Sequence, residues 1–151
     1  MSATGPVDTP ADHAVRLLLN IDVPDLDTAA RFYIDAFGLR PARRLGEGVL
    51  EMLGAGVPLY LLTKPAGSPG AGDDARRYGR HWSPLHCDIV VDDVDAALAR
   101  ALAAGAKQEG EVRSADWGRI ATIADPFGHG WCLLQFLGRG YDEIASHGAT
   151  A

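Results

Sequence analysis

Two stretches of the chain, offset by 68 residues, share one alternation of apolar and polar positions. Leu17, Leu19, Ile21 and Val23 interleave with Leu18, Asn20 and Asp22, as Cys87, Ile89 and Val91 interleave with His86, Asp88 and Val90. A period of two is that of a strand with one buried face, so strands are predicted over roughly 15–23 and 84–91. The mostly apolar sets then face a core, and Leu18, Asn20, His86 and Asp88 face the other way. Beyond each strand the period changes. Leu26, Ala30, Tyr33 and Phe37, and later Val94, Leu98, Ala101 and Leu102, recur at helical spacing. Asp25 and Asp93 stand where N-caps are wanted, and Gly38 and Gly105 where helices commonly end. Seven identities join the copies: Leu17/Leu85, Ile21/Ile89, Val23/Val91, Asp25/Asp93, Asp27/Asp95, Ala29/Ala97 and Ala36/Ala104. The chain repeats one supersecondary unit.

Each helix is followed by strand-like, turn-punctuated sequence. The first copy has Arg40–Leu45, Val49–Leu53, a Gly54–Gly56 turn and Val57–Thr63; the second has Gln108–Ser114, Arg119–Ala124, an Asp125–Gly128 turn and Gly130–Leu137. The predicted fold is α+β: two βαβββ modules in tandem, forming paired, cupped four-stranded sheets, each covered on one face by its helix. The single domain spans 15–137, with module 1 at 15–64, a Pro-, Gly- and Asp-rich linker at 65–82 and module 2 at 83–137. Residues 1–14 and 138–151 are read as tails, the first as flexible.

Bulk composition narrows the function classes. With 47% hydrophobic residues in 151, the chain holds a real core. A net charge of −6 disfavours a phosphate-tracking surface, so no nucleic-acid partner is expected. Two cysteines, Cys87 and Cys132, point to a reducing compartment rather than a disulfide framework. No apolar run approaches a membrane span and the start lacks a signal-peptide pattern, so a cytoplasmic protein without membrane contact is expected.

The stretch DPFGHGWCLL at 125–134 holds the most conspicuous candidate chemistry. His129 and Cys132 are good metal ligands, but an odd step along a strand turns them to opposite faces, so they do not form a two-ligand motif. Parity leaves open whether Trp131 and Leu133, or Cys132, Leu134 and Phe136, face the helix. Asp125 is expected to form the turn by accepting nearby amides, and His129 to pack or bond beside it. His86 has two readings, a satisfied structural histidine or a proton carrier facing a cavity, with Asp88 either orienting it or solvating the sheet. Cys132 reads as a small lining group rather than a nucleophile, since nothing basic is near it in sequence. Trp117 is either a packing anchor or, the reading favoured here, an aromatic wall at a cavity mouth. Arg77, Arg80 and His81 offer an anion site, or a solvated loop.

These features together, with V-x-D-L-D and RFYIDAFGL in the first half, VVDDVDAALARALAAGA in the second and DPFGH before the last strand, resemble the vicinal oxygen chelate superfamily of glyoxalases, bleomycin-resistance proteins and extradiol dioxygenases. The resemblance covers roughly residues 15–137. It implies sheets closing around a cavity, and in the enzymes a divalent metal acting as a Lewis acid on substrate oxygens. The implied ligand positions are Leu18, Leu61, His86 and Cys132, the last where those enzymes usually carry Glu; this also sets Cys132 on the cup face. Two aliphatic side chains donate nothing, and one His with one Cys falls short of a tetrahedral set, so no cofactor and no divalent metal are expected unless Asn20 or Asp88 rebuilds the site. The leading expectation is a protein that binds a small organic molecule in a cup lined by Leu18, Asn20, Leu61, His86, Asp88, Trp117 and Cys132. The alternatives are an enzyme of the lyase, isomerase or dioxygenase class with His86 as acid–base or with an unorthodox metal site, and an accessory protein that binds a partner through its surface. A homodimer is expected from the resemblance and from sheet edges that want cover.

Overall fold

A computed structural model describes residues 15–146. The expected N-terminal tail 1–14 and the last residues of the C-terminal tail lie outside them. The first module runs β1 (Leu19–Val23), α1 (Leu26–Phe37), β2 (Arg40–Arg44), β3 (Val49–Leu53) and β4 (Leu59–Thr63). A small hairpin, β5 (Pro69–Ala71) and β6 (Asp74–Ala75), occupies the linker. The second module runs β7 (Cys87–Val90), α2 (Val94–Ala104), β8 (Lys107–Gln108), β9 (Arg113–Ala115), β10 (Gly118–Ala124) and β11 (Gly130–Phe136).

The sheets are β1-β4-β3-β2 and β7-β11-β10-β8, with β9 also paired to β10. In each, the first strand runs parallel to the last and the rest are antiparallel. The duplicated βαβββ layout is therefore present, with one difference. The strand expected over Gln108–Ser114 is split into β8 and β9, because Gly110 takes a left-handed φ of 78° and breaks the pairing between them.

Both helices start and stop on the residues that the pattern marks. Asp25 Oδ2 accepts the Thr28 amide at 2.8 Å and Asp93 Oδ1 the Ala96 amide at 3.1 Å, each cap stabilising its helix by about 1 kcal/mol. Gly38 and Gly105 close the C-termini in the left-handed region. The buried stripe of α1 is Leu26, Ala29, Ala30, Phe32, Tyr33 and Ala36, and that of α2 is Val94, Ala97, Leu98 and Ala101.

The helices pack on one another as well as on their sheets, so the two modules share a single core. At its centre α1 meets the last turn of module 2. The Tyr33 ring lies 5.9 Å from that of Trp131, and Phe37 5.1 Å from it, both edge-on, while Phe32 lies 6.0 Å from Phe127. Such pairs add roughly 0.5–1.5 kcal/mol each beyond the area they bury. Beyond β11, a 3₁₀ turn at Gly140–Glu143 sets Tyr141 against Trp117 (5.1 Å) and Phe136 (4.8 Å).

Candidate functional site

Strand parity places the candidate residues, and register decides where parity was open. On β1, Ile21 and Val23 are buried while Asn20 is exposed and Asp22 half-buried. On β11, Trp131 and Leu133 join the core, which leaves Cys132 on the opposite face beside Thr122 and Asp88. The Thr122 hydroxyl lies 4.0 Å from the Cys132 sulfur. Burial, with the Asp88 charge behind it, pushes the Cys132 thiol up, so the thiolate is disfavoured and the side chain is a poor nucleophile.

Two expected lining residues are corrected. Leu61 is fully buried, opposite Ile21 on one neighbour and Leu50 on the other, and so belongs to the helix side of its sheet. The expected register is one residue out, which on a strand exchanges the faces; Tyr60 and Leu62 are the open-face residues of β4. Trp117 is a packing anchor rather than a cavity wall. Its ring stacks on Tyr141, and its carbonyl accepts the Leu137 amide at 2.9 Å, holding the C-terminal turn.

The open face of the first sheet is filled by a closed network. Arg43 donates to both Glu51 oxygens, at 2.8 and 2.7 Å, and the Tyr60 hydroxyl donates to Glu51 Oε2 at 2.9 Å. These hydrogen bonds, Arg43 first, hold the Glu51 carboxyl down at about 2.

The clefts lie at the junction of the modules. One, of about 320 Å³, is bounded by Leu19–Asp22 of β1, by the segment from Arg80 to the start of β7, and by the turn Gly128–Trp131. Its walls are apolar at Leu19, Ile21, Leu85 and Trp131, polar at Asn20, His81, Ser83, His86 and His129, and charged at Asp22 and Arg80. The second, of about 270 Å³, lies across the same segment and is lined by Trp82, Arg113, Thr122 and Cys132 among others; His86 borders both. Asn20 is therefore in the first cleft, Cys132 in the second, and His86 in each. Leu18 is half-exposed just before β1 and lines neither, and Asp88 also lines neither, standing beside Cys132 on the open face of the second sheet.

The linker roofs this junction. Arg76 Nε donates to Asp22 Oδ2 at 2.7 Å, and the Tyr78 hydroxyl to the Lys64 carbonyl at 2.5 Å. Gly128 has a left-handed φ of 95°, and a Cβ there would lie 2.7 Å from the Gly79 carbonyl oxygen. At Gly130 a Cβ would run into the Arg80 guanidinium. The two glycines let 78–81 lie directly on the turn. Arg77 pairs with Asp74 and Arg80 with Glu109, so the expected anion-binding arginines are already partnered.

Beneath the turn lies Asp125, whose side chain is fully buried. Its Oδ1 accepts the Phe127 and His129 amides, at 2.8 and 3.0 Å. Its Oδ2 accepts the Tyr33 hydroxyl at 2.5 Å, the Trp131 indole N–H at 2.9 Å and His129 Nδ1 at 2.8 Å. Burial pushes this carboxyl up, but the His129 hydrogen bond and charge, with the Tyr33 and Trp131 bonds, outweigh it and the net shift is downward. Burial and the adjacent carboxylate push the Tyr33 phenol well up. Local sequence signals the turn-forming part of this role but not the convergence of Tyr33 and Trp131. The D-x-x-x-H spacing is the one local signal for the His129 bond, since a carboxylate that captures the amides of a tight turn also lies near the side chain four residues on.

The donor set does not fit the divalent centre of the superfamily's enzymes. Among the described residues no three His, Cys, Asp or Glu side chains gather where they would share a cation. The open face of β4 offers Tyr60, whose hydroxyl is engaged by Glu51, and Leu62. No helix among the described residues is long and apolar enough to cross a membrane.

Comparisons with known proteins agree with this architecture. The glyoxalase-like domain family matches residues 19–134. An uncharacterised protein of Mycobacterium bovis is 44% identical over 121 residues, covering 75% of this chain and 78% of that one. The anthracycline biosynthesis protein DauV of Streptomyces is 31% identical over 113 residues, covering 74% of this chain but 38% of its own length. Among solved structures, the fosfomycin resistance protein FosX of Listeria monocytogenes superposes with a TM-score of 0.62 at 18% identity, over 81% of this chain and 93% of that one. Lactoylglutathione lyase of Agrobacterium tumefaciens gives 0.57 at 23% identity, over 81% and 93%. The chain belongs to the glyoxalase-like domain family and has the fold of the glyoxalase/bleomycin resistance/dioxygenase, or vicinal oxygen chelate, superfamily.

Proposed function

We propose that this glyoxalase-like protein binds a small organic molecule in the cleft at the junction of its modules, without a divalent metal. The observation that carries the reading is the cleft itself. It has the size of a small-ligand site, apolar walls from both modules and separately placed polar side chains, among them Asn20, His86 and His129. The donor chemistry supports the metal-free form, because Leu18 and the β4 residues offer no ligand set. The relationship to an anthracycline biosynthesis protein supports a flat, polycyclic aromatic compound as a first probe. Cys87 and Cys132, unpaired and on opposite faces of one sheet, suit a reducing, cytoplasmic setting. Trp82, 80% exposed, and Leu85, 73% exposed, offer apolar surface that a second copy would cover in a homodimer.

The test is a titration with aromatic and heterocyclic compounds, an anthracycline included, read by tryptophan fluorescence and melting temperature. Saturable binding that raises the melting temperature is expected. It should be lost in Ser83→Trp, which crowds both clefts without touching the core. Absence of saturable binding across the panel, or unchanged binding in Ser83→Trp, would sink the reading. Metal analysis of protein purified without chelator should show substoichiometric divalent metal. The enzyme reading with His86 as acid–base draws less support, since among the described residues no carboxylate, Asp88 included, is bonded to the His86 ring.

A further inference from the structure

A carboxylate-backed histidine does border the cleft, at a position other than His86. Asp125 is fully buried, and five donor groups converge on it from the turn, from β11 and from α1. An ionised carboxylate accepts and does not donate, so the contact with His129 Nδ1 at 2.8 Å requires the proton on Nδ1. In the neutral ring the lone pair is then on Nε2, at the ring edge away from the carboxylate. His129 is one-third exposed and lines the cleft, and among the described residues nothing is bonded to Nε2. The tautomer, the ring orientation and the compensating negative charge are all set before a ligand arrives, which is what a general base needs.

We propose that His129 is a proton-transferring residue of the junction cleft. Its Nε2 takes a proton from a weakly acidic C–H or O–H of the bound small molecule, and Asp125 is the positioning residue behind it. The inference rests on the ligand-binding reading above and adds chemistry to it. Asn20, across the same cleft, supplies an amide that donates to the oxygen or nitrogen on which charge develops. Aspartate at 125 serves two ends at once: it folds the turn by capturing two amides, and it fixes the imidazole that the turn presents.

The test uses 5-nitrobenzisoxazole, a neutral flat compound whose ring opening reports a positioned base. Nε2 takes the C3 proton, the C–H electron pair completes the nitrile, the N–O bond breaks, and oxygen leaves as a coloured nitrophenolate; the proton then passes from the imidazolium to water. Saturable turnover is expected, at least about tenfold faster than an equal concentration of free imidazole, at the lower end of acid–base contributions. Turnover should fall to the imidazole level in His129→Gln and fall less in His86→Gln, which alters the cleft wall but leaves the base in place. Wild-type turnover no faster than imidazole where the compound's isostere binds, or an active His129→Gln, would overturn the proposal.

Binding of the unreactive isostere 5-nitrobenzotriazole, followed by melting temperature, separates the two readings. Binding without turnover refutes the role of His129 and leaves the ligand cleft standing. If the isostere does not bind, the protonation of the ring itself decides. In long-range ¹H–¹⁵N spectra of the full chain, His129 should show a protonated Nδ1 and a bare Nε2, and in Asp125→Asn that signature should change. A proton on Nε2 in the wild type refutes the proposal without any ligand. Because Asp125 also holds the turn, Tyr33→Phe serves as the second variant if Asp125→Asn does not fold; it removes one donor from the carboxylate and should perturb the Nδ1 shift.

Discussion

Each module buries one carboxylate, and the two are treated in opposite ways. Glu51, on the open face of the first sheet, is met by a full positive charge: Arg43 grips both oxygens and Tyr60 adds a third bond. The network stays within neighbouring strands, and its cation is largely exposed. Asp125, in the corresponding hairpin turn of the second module, is met by amides, a phenol and an indole from both modules, with His129 as its only titratable nitrogen partner among the described residues. The first module's turn, Gly54–Gly56, holds no such group. Duplication thus reproduced the βαβββ scaffold and not the chemistry. A carboxylate neutralised by arginine fills its sheet face and leaves nothing to react; one satisfied by amides, a phenol, an indole and an imidazole joins two modules and presents a ring to a cleft.

The most forceful way to break that comparison is to delete each carboxylate. Asp125→Ala strands the buried Tyr33 hydroxyl, the Trp131 N–H and two amides at once, and should cost about 3–5 kcal/mol in urea unfolding. Glu51→Ala leaves Arg43 free to turn into water, and its loss should be clearly the smaller. Equal losses would mean that Asp125 does not bind the modules together. Next in size is Leu61→Ala, a test of the register of the first sheet. In the core it should cost about 2–5 kcal/mol, whereas Leu62→Ala on the open face should cost about 1 kcal/mol or less. The reverse order would return Leu61 to the cup.

How much of this is legible in the sequence depends on the range over which each feature is determined. Asp25, Gly38, Asp93 and Gly105 end the helices through bonds to residues a few positions away, so local pattern locates them. The alternation in β1 and β7 likewise sorts Ile21 from Asn20 and Ile89 from Asp88. Leu61 is misplaced by pattern because LYLLT is apolar on both faces: Leu59 and Leu61 pack inward while Tyr60 and Leu62 do not, and with no alternation to read only pairing with Ile21 and Leu50 sets the side. Trp117 is misplaced because its partner Tyr141 sits beyond the last predicted strand, in a stretch that pattern gives no element. The site is the most instructive case. Of the two candidate histidines, local pattern favours His86, on a strand with Asp88 two residues on, and leaves His129 to the turn. Both are at the junction; what distinguishes them is the buried carboxylate, which draws Tyr33 from 92 residues away.

Acid titration sharpens the comparison with the smallest effect. Both carboxyls are lower in the folded protein than their ordinary values, so each contributes stability that is complete above the unfolded value and lost as pH falls through the folded one. For Glu51 the window runs from 4.5 down to about 2. The urea midpoint should therefore fall with pH across this range in the wild type and fall less steeply in Glu51→Gln. Salt separates the two contributions. The Glu51 share depends on a cation that is 70% exposed, and screening at about 1 M salt should reduce it. The Asp125 share, read as the slope that Asp125→Asn removes from the wild type, comes from hydrogen bonds and the adjacent His129 inside the core and should be reduced less. The exposed Asp95 and Glu143, also held down by arginines, screen with Glu51. If the slope that Asp125→Asn removes collapses in salt as fully as the Glu51 share does, the core does not shield Asp125 and the two modules treat their carboxylates alike.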